Sequence, residues 1–506
     1  MTADPTPSAD LHAVRRADWR FLLPDPEVRR VVLAGSGVAA LHRAGLEADG
    51  VEVVELAGYH GLPDHADAIV CSAEPHLAAA LLRDRPRIPL YVELGARAAF
   101  DRRWRALLRD RDGAHFLVVP DHDRRRAYAP LDDRRSLRWL GAGRQGPAGR
   151  LARSGLADLQ LVRAAARRVA PSRAVVLSQD RSQHSLAAWL ASSALLDEDG
   201  PEDETAPTSH LILTPRFATS QHVVLLAGRR KPEIVVKTSR LSGDGVDGEV
   251  SALRQLWAAA GGRDVGAPRL LRHEVWGRRT IFAETAVRGE PVSARSAAAD
   301  PSGTATDVTT WLIGLPREAV ASTPARLAAL LTPALDAVAA MGESHEEELV
   351  RATRLATAEL ARWELPVVFE HGDVSAPNIF RTSTGIALID WELARPVGLP
   401  GHDLFVALGF VARSVSSEVG GAALERAFLH SPPAWLRGEL GRYARQLGLP
   451  AQALPALFLC CWARVSASLA ARAAADHGNL DWWRGQPATR LWTAAARQPE
   501  RLSWME

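Results

Sequence analysis

Short apolar runs alternate with stretches of helical periodicity from residue 19 to about residue 145. Each run has the length of a buried strand, and each intervening stretch repeats its apolar residues three and four positions apart. This alternation predicts a parallel sheet covered by helices, an α/β Rossmann-like domain over residues 19–150. The predicted strands are VVLAG (31–35), VEVVEL (51–56), DAIVCS (67–72), PLYVEL (89–94) and HFLVVP (115–120), and the predicted helices are AALHRAGL (39–46), PHLAAALLRD (75–84) and residues 104–109.

The apolar pattern differs after residue 210. Three strand-like runs follow one another, an amphipathic helix comes next, and a further strand-like run precedes a long region of helical periodicity. This order predicts a small β-rich lobe over residues 211–290 and a larger helical lobe over residues 291–506, together an α+β bilobal domain. The strand-like runs are LILTPRF (211–217), HVVLLAG (222–228), EIVVKTS (233–239) and TIFAETA (280–286), the helix is EVSALRQLWAAAG (249–261), and a β-like island interrupts the helical region at 367–393.

Polar segments mark the limits of these domains. Residues 1–18 contain two prolines and few apolar residues, so they are expected to form a flexible tail. Residues 151–210 are expected to form a helical segment, with the apolar run VVLS (175–178), followed by the linker DEDGPEDETAPTSH (197–210). This linker contains six acidic residues and is expected to be solvated. We therefore place the main domain boundary there.

Composition and charge exclude several classes of protein. The chain has 61 Lys+Arg against 59 Asp+Glu, a formal net charge of +2, and so lacks the basic excess typical of proteins that bind nucleic acid or anionic membranes. Its three cysteines, Cys71, Cys460 and Cys461, have neither disulfide nor zinc-site spacing, which favours a reducing compartment. The N-terminus has no apolar core of signal-peptide length, and the apolar stretch 454–471 carries Arg464, so it is expected to be a buried helix. We expect a soluble cytoplasmic protein with no nucleic-acid or membrane partner.

The island at 367–393 contains residue types that phosphoryl transfer requires. Asp373 and Asn378 have the Asp-x-x-x-x-Asn spacing of a kinase catalytic loop, in which the Asp accepts the proton of the attacking hydroxyl. Asp390 ends the apolar run GIALID, twelve residues after Asn378, where a carboxylate can hold a metal ion. Two carboxylates and an amide oxygen are ligands that Mg²⁺ prefers. A hairpin whose polar residues only cap turns explains any one of these residues, but not the ordered set.

The segment HGDVSAPN followed by IDWELARPVGLPGHDL resembles the aminoglycoside phosphotransferase and choline kinase family. The resemblance is specific over residues 367–410 and weaker over about 205–470. It implies a bilobal protein-kinase-like fold, ATP and Mg²⁺ as cofactors, and phosphotransferase activity.

The resemblance also implies a role for each residue of the motif. Asp373 would be the catalytic base, and Asn378 and Asp390 would hold Mg²⁺. His371 would shape the loop, and Asp403 would tie the following helix to the catalytic segment.

A kinase-like mechanism needs a lysine and a glutamate upstream of the island. The lysine neutralises the α- and β-phosphates from the third strand, and the glutamate orients that lysine from the next helix. Lys237 ends the run EIVVK, and Glu249 opens the helix that follows. Lysine occurs only at Lys231 and Lys237 in this chain, so Lys237 is expected to do what arginine cannot. Lys231 lies beside two arginines and is expected to be solvated.

Two further segments are expected to contact the nucleotide. Protein kinases cover the phosphates with a Gly-rich loop, but the corresponding segment TPRFATSQHVV (214–224) has no glycine. Ser220 and neighbouring backbone N–H groups are therefore expected to bind phosphate there. The backbone from Glu284 to Ala286 falls where the two lobes are expected to join, so it is the predicted adenine-binding hinge.

The N-terminal domain, residues 19–150, carries a second nucleotide-like pattern. Gly35, Gly37 and Ala40 follow a predicted strand with the spacing G-x-G-x-x-A, and Glu55 ends the next strand. This matches the dinucleotide fingerprint with its acidic ribose ligand, and the strand order resembles a class I methyltransferase. The acidic residue that such methyltransferases carry before the glycines is absent. Three interpretations stay open: a working methyltransferase, an inactive domain that binds S-adenosylmethionine or another nucleotide, and a degenerate scaffold that docks a partner.

Together these patterns predict ATP- and Mg²⁺-dependent transfer of a γ-phosphoryl group to a hydroxyl of a small molecule or a peptide. Two alternatives remain: an inactive kinase-like binding protein, and a methyltransferase with a regulatory kinase-like half. From Arg413 to Glu506 the chain has eleven Arg against seven Asp+Glu. Because a basic acceptor lobe repels a polycation, we expect a neutral or anionic acceptor rather than an aminoglycoside.

Overall fold

The chain divides into two compact units in the computed structural model. One unit comprises Met1–Val246 and Leu271–Ala286, and the other comprises Asp247–Leu270 and Val287–Glu506. The residues that the structure describes are 15–35, 37–56, 63, 65–95, 98, 101–109, 113–119, 127–142, 172–178, 185–196, 209–214, 222–242, 246–321, 323–340, 344–416, 418, 421–473 and 480–505.

A twelve-stranded mixed sheet runs through the first unit, in the order β11-β12-β10-β9-β8-β6-β5-β7-β4-β3-β1-β2. Its strands are β1 (Arg30–Ala34), β2 (Glu52–Leu56), β3 (Ala68–Cys71), β4 (Leu90–Gly95), β5 (Gly113–Val119), β6 (Ala127–Pro130), β7 (Ser172–Leu177), β8 (Ser209–Leu213), β9 (His222–Gly228), β10 (Ile234–Ser239), β11 (Leu270–Trp276) and β12 (Arg279–Thr285). The helices of this unit are α1 (Val38–Glu47), α2 (Pro75–Asp84), α3 (Arg102–Arg109), α4 (Arg134–Ala142) and α5 (Leu186–Ser192).

Only the first four strands form the parallel sheet that the sequence predicts. β1 pairs with β2 and β3, and β3 pairs with β4, all in parallel. β1 and β3 are buried along almost their whole length, as is typical of parallel strands covered on both faces. β7, from the region predicted as mostly helical, enters between β4 and β5 and runs antiparallel to both. The sheet is therefore mixed, and the Rossmann-like assignment of residues 19–150 stays a prediction.

The sheet continues across the predicted domain boundary. β8 pairs antiparallel with β6 on one side and with β9 on the other. Buried residues from both parts share one apolar core, which contains Trp19, Tyr91, Val236 and Ala283. Residues 197–208 of the predicted linker lie outside the described residues, and the predicted domain bounds are otherwise untested.

The predicted flexible tail extends too far along the chain. Residues Arg15–Leu22 form a 3-10 helix, and Ala17 and Asp18 within it are fully buried. The physical reason is an ion pair between Asp18 and Arg240 that withdraws both side chains from water. Residues 1–14 of the predicted tail lie outside the described residues.

The second unit is mainly helical. Its helices are α6 (Asp247–Ala260), α7 (Ala294–Ala299), α8 (Pro301–Gly314), α9 (Pro324–Ala339), α10 (Ser344–Leu360), α11 (His402–Val415), α12 (Gly421–Glu425), α13 (Ala434–Leu447), α14 (Leu454–Arg472), α15 (Leu480–Arg484) and α16 (Pro487–Arg497). Asp300 caps α8, because its carboxylate accepts a hydrogen bond from Gly303 N at 2.9 Å, and Pro301 occupies the first turn, where no N–H is needed.

Helix α14 is the core helix that the sequence predicts. Among the described residues, the stretch Ala451–Ala471 is the one with the length and apolarity to cross a membrane, but 78% of its apolar window is buried within the protein. Cys460 and Cys461 are buried in it as free thiols. A helix whose surface is covered by its neighbours is typical of a protein core.

Two small antiparallel sheets of the second unit frame the island identified in the sequence. One has the order β13-β16-β17 and the other the order β14-β15-β18. Their strands are β13 (Glu290–Pro291), β14 (Arg317–Ala321), β15 (Pro366–Glu370), β16 (Ile379–Thr382), β17 (Gly385–Leu388) and β18 (Arg395–Gly398). The loop from 371 to 378 joins β15 to β16 and thus connects the two sheets.

Candidate active site

Asp373 and Asn378 face each other across the loop between β15 and β16. Asn378 Nδ2 donates hydrogen bonds to Asp373 O at 3.2 Å and to Asp373 Oδ2 at 3.1 Å. Ser375 Oγ donates to Asp373 Oδ1 at 2.7 Å. Each carboxylate oxygen of Asp373 therefore has a partner that fixes its direction, while the side chain stays partly exposed. A half-buried, oriented carboxylate suits a general base.

His371 stabilises this loop through two hydrogen bonds of its imidazole ring. Asp373 N donates to His371 Nδ1 at 3.2 Å, so Nδ1 lacks a proton. The proton is then on Nε2, which donates to Ile389 O at 3.0 Å. Burial lowers the pKa of His371, against the opposing charge of Asp373, so the ring stays neutral. The imidazole thus links this loop to the strand end that carries Asp390.

Asp403, in the first turn of α11, stabilises the backbone of the same loop. Its carboxylate accepts hydrogen bonds from His371 N at 2.6 Å and from Gly372 N at 2.8 Å. Burial and the charge of Glu370 raise the pKa of Asp403 to about 7. Gly372 has φ +90°, and a Cβ on it would lie 2.7 Å from Leu393 O, so only glycine fits. The Asp403 contacts tie α11 to the loop, as the resemblance implied.

Asn378 and Asp390 lie at the open end of the β16–β17 hairpin. Ile379 is paired with Leu388, and Ile389 N donates to Asn378 O at 3.1 Å. Because the Asn378 amide nitrogen is committed to Asp373, its Oδ1 is the atom that it can present to a cation. Asp390 has φ +68°, a left-handed conformation that ends the strand and turns the chain. The oxygen donors of these residues fit Mg²⁺, a hard cation.

Glu249 anchors the residue that follows Asp390. Its Oε1 accepts a hydrogen bond from Trp391 N at 3.0 Å, and both side chains are buried. The Trp391 ring packs on His371, with 4.6 Å between ring centroids. Glu249 therefore stabilises the backbone beside the candidate metal ligand. The sequence assigned Glu249 to Lys237, and that pairing stays a prediction.

Within the first unit, Lys237 has a carboxylate partner that the sequence did not assign to it. Lys237 Nζ lies 3.5 Å from Glu284 Oε1, and 5.7 Å from the centroid of the Phe282 ring. The register explains this, because Lys237 on β10 is opposite Phe282 on β12. Both Lys237 and Glu284 are at most 5% exposed. The carboxylate beside Lys237 thus comes from a neighbouring strand and not from the helix that the sequence predicts, and phosphate binding by Lys237 stays a prediction.

The predicted hinge is only partly compatible with the structure. Ala286 N donates to Glu233 O at 2.8 Å, so this N–H group is committed to the backbone and is not open to adenine. Glu284 has its backbone in β12 and its side chain against Lys237. The predicted phosphate ligand Ser220 lies outside the described residues. Nucleotide binding by these three residues remains a prediction.

A buried ion pair behind the loop was not predicted from the sequence. Arg464 on α14 donates to both oxygens of Glu370, at 2.8 Å and 2.5 Å. Glu370 Oε2 also accepts from Leu399 N at 2.9 Å. Although burial opposes ionisation, His402 and Arg464 lower the pKa of Glu370 to about 2. The signal in the sequence was Arg464 itself, a charge within the apolar stretch 454–471.

The glycine pattern of the N-terminal domain has a structural explanation. Gly35 has φ +100°, and a Cβ on it would lie 2.0 Å from Ser72 Oγ, so packing alone requires glycine. Gly37, with φ +77°, caps α1. Glu55, the predicted ribose ligand, forms an ion pair at 2.5 Å with Arg43 on α1. S-adenosylmethionine or nucleotide binding at Gly35, Gly37 and Glu55 stays untested.

Comparison with known protein families gives one match, which covers less than half of the chain. Residues 218–440 match the model of the phosphotransferase enzyme family. No curated protein matches the chain at a significant level.

Several solved structures resemble part of the chain, all at low sequence identity and low TM-score. A choline kinase LicA from Streptococcus pneumoniae is 11% identical, with 56% of this chain and 89% of that chain covered and a TM-score of 0.36. A choline/ethanolamine kinase family protein from Mesorhizobium loti is 18% identical, with coverages of 62% and 100% and a TM-score of 0.32. The aminoglycoside phosphotransferase APH(3'')-Id from Streptomyces rimosus is 17% identical, with coverages of 53% and 96% and a TM-score of 0.33.

Proposed function

Because residues 218–440 match the phosphotransferase enzyme family, we propose that the protein transfers the γ-phosphoryl group of ATP to a hydroxyl group, with Mg²⁺ as cofactor. The observation that carries the proposal is the catalytic loop, in which Asn378 and Ser375 orient the Asp373 carboxylate. His371 and Asp403 hold the backbone of the same loop. These contacts fix the direction of one carboxylate, as a positioned general base requires.

Asp373 acts as the base of the proposed reaction. It accepts the proton of the acceptor hydroxyl while the hydroxyl oxygen forms a bond to the γ-phosphorus. The bond between the γ-phosphorus and the β–γ bridging oxygen breaks, and ADP leaves with that electron pair. Lys237 neutralises the α- and β-phosphates. Asn378 and Asp390 would hold Mg²⁺, which when bound neutralises charge on the phosphate oxygens.

The acceptor in this proposal is a neutral or anionic alcohol. Arg413, in the last turn of α11, is exposed to solvent and interacts electrostatically with Asp373. No hydrogen bond or ion pair joins Arg413 to another of the described side chains. A guanidinium group near the base attracts an anionic acceptor and repels a polycation. The excess of Arg over Asp+Glu from residue 413 onward has the same effect.

Label transfer from ATP tests this function. The protein is incubated with γ-labelled ATP and a metabolite extract of the source organism, with Mg²⁺ or with excess EDTA. We expect a new labelled compound that requires Mg²⁺ and the intact protein. If no compound in the extract gains label under any condition although the wild-type protein is folded, the proposal is contradicted.

A panel of purified alcohols tests the acceptor class. Aminoglycosides are expected to be phosphorylated poorly, and efficient turnover of any of them, with kcat/KM above about 10⁴ M⁻¹s⁻¹, would refute the expectation of a neutral or anionic acceptor. The same panel should include sugars, carboxylated sugars and Ser/Thr peptides.

A further inference from the structure

A buried cluster of charges joins the N-terminal domain to the strands that carry Lys237 and Glu284. We propose that Asp18 and Asp49 are positioning residues for phosphate binding, and that the N-terminal domain serves the kinase-like part by fixing the Lys237 strand. This inference rests on the proposed function, because it assigns Lys237 to the phosphates of ATP.

One part of the charge cluster fixes the end of β10. Arg240 follows β10 directly and lies three residues after Lys237. Arg240 Nε donates to Asp18 Oδ1 at 2.9 Å, and Arg240 Nη2 donates to Asp18 Oδ2 at 2.8 Å. This is the two-pronged arrangement in which a guanidinium group fixes direction as well as distance. Both side chains are at most 2% exposed.

The other part of the charge cluster fixes the start of β12. Asp49, which follows α1, accepts hydrogen bonds from Arg279 Nη2 and from Ser242 N, each at 2.5 Å, and it also pairs with Arg20. Arg279 is the first residue of β12. Its Nη1 donates to Arg240 O at 2.7 Å, so the two halves of the cluster are joined.

Asp49 is ionised in this environment. Burial opposes the charge, but Arg20 and Arg279 together hold the pKa of Asp49 below its usual range. Asp18→Asn weakens the two-pronged contact that holds Arg240. Asp49→Asn removes one of the two carboxylates that Arg279 contacts, the other being Glu27 at 2.8 Å. Loss of a buried countercharge favours a local rearrangement of the structure.

The strands that these contacts hold, β10 and β12, are also the strands that form the lysine site. β10 carries Lys237 and ends at the Asp18–Arg240 pair, and β12 carries Glu284 and begins at Arg279. Three strand residues span only about 10 Å, so a shift at Arg240 is transmitted to Lys237. The N-terminal domain thereby sets the position of a cation that must meet two phosphates.

The local structure of the N-terminal domain agrees with a supporting role. The space beside Gly35 is filled by Ser72, and Glu55 is paired with Arg43. The apolar core that contains Trp19 and Tyr91 also contains Val236, the neighbour of Lys237 on β10. The domain therefore contacts the lysine strand through both charge and apolar packing.

The test compares nucleotide affinities of full-length variants. Asp18→Asn and Asp49→Asn each remove one negative charge. Arg240→Lys keeps the positive charge but loses the two-pronged contact. The matched control is Glu52→Gln, which removes a carboxylate from an exposed ion pair of the same domain. Calorimetry with Mg²⁺ gives the Kd of ATP and of adenosine. We expect ATP to bind about tenfold or more weakly to Asp18→Asn and Arg240→Lys, with adenosine and the Glu52→Gln control unchanged.

A double-variant comparison separates positioning from general damage. Lys237→Ala should lose the same ATP affinity, and Asp18→Asn should add no further loss in the Lys237→Ala background. Unchanged ATP affinity in folded Arg240→Lys and Asp18→Asn would overturn the inference, as would equal losses for ATP and adenosine. If an Asn variant does not fold, Arg240→Lys decides alone. Failure of wild-type protein to bind ATP would instead refute the proposed function, and this inference with it.

Discussion

At the scale of single residues, the candidate site depends on side chains that each hold two places together. His371 contacts Asp373 N on one side and Ile389 O on the other. Asp403 accepts from two successive backbone N–H groups. The resemblance of HGDVSAPN and GLPGHDL to the family motifs pointed to both residues. It could not identify Glu284 as the neighbour of Lys237, since that contact depends on the pairing of β10 with β12.

The shape of the cation at position 237 is the first residue-scale prediction. Lys237→Arg keeps the charge, but the planar guanidinium does not fit the buried space of a compact ammonium beside Glu284. We expect phosphotransfer to fall by at least about tenfold, measured as kcat/KM for ATP. Lys231→Arg, an exposed position, is the matched control and should retain activity. Full activity of Lys237→Arg would show that Lys237 is not the phosphate ligand.

The second residue-scale prediction concerns the pH dependence of stability that the titration of His402 causes. Burial lowers the pKa of His402 from 6.5 to about 4, so the unfolded chain takes up a proton that the folded protein does not. The free energy of unfolding should therefore fall as pH decreases from about 6.5 to about 4, by up to about 3 kcal/mol from this residue. His402→Gln, which does not titrate, should show a smaller fall in chemical denaturation at pH 7 and pH 5. Identical pH dependence of the two proteins would contradict this explanation.

At the scale of elements, helices behind the loop determine its position. α11 reaches the loop through Asp403, and α14 reaches the adjoining strand β15 through the Arg464–Glu370 pair. Helical periodicity predicted a helical region here, and the apolar stretch 454–471 predicted the burial of α14. It did not predict β11 or β7 as sheet members with their partners, because strand pairing depends on contacts far apart in the sequence.

The Arg464–Glu370 pair supplies the element-scale prediction. Arg464→Leu leaves the Glu370 carboxylate buried without its cation, so we expect the free energy of unfolding to fall by about 3–5 kcal/mol. Arg354→Leu removes an ion pair whose side chains are both 60% exposed, and should cost at most about 1 kcal/mol. Urea denaturation at pH 7 compares the two, and equal small losses would show that the buried pair contributes little.

At the scale of the whole molecule, the sheet joins parts that the sequence separates into domains. β6 and β8 pair across the predicted boundary, and Trp19 and Tyr91 lie in the same core as Val236 and Ala283. An acidic linker indicates a solvated connection, but it does not reveal whether the strands on either side of it pair.

This continuity predicts that the kinase-like part is not independent. A fragment comprising residues 209–506 loses the partner strand of β8 and exposes part of its apolar core, so we expect it to aggregate or to unfold without cooperativity. The full-length chain is the control. Soluble expression and thermal unfolding measure the difference, and a monomeric fragment with a cooperative transition and wild-type ATP affinity would contradict the expectation.

The most direct test of the central claim is the rate of phosphotransfer after Asp373→Ala, with Asp336→Ala, an exposed position, as control. The measurement is transfer of label from γ-labelled ATP to the acceptor fraction, together with the Kd of ATP. We predict a fall of about 10²–10⁴-fold in rate, the usual contribution of a positioned general base, with ATP binding retained and Asp336→Ala unchanged. A rate near that of wild type in Asp373→Ala would contradict the account.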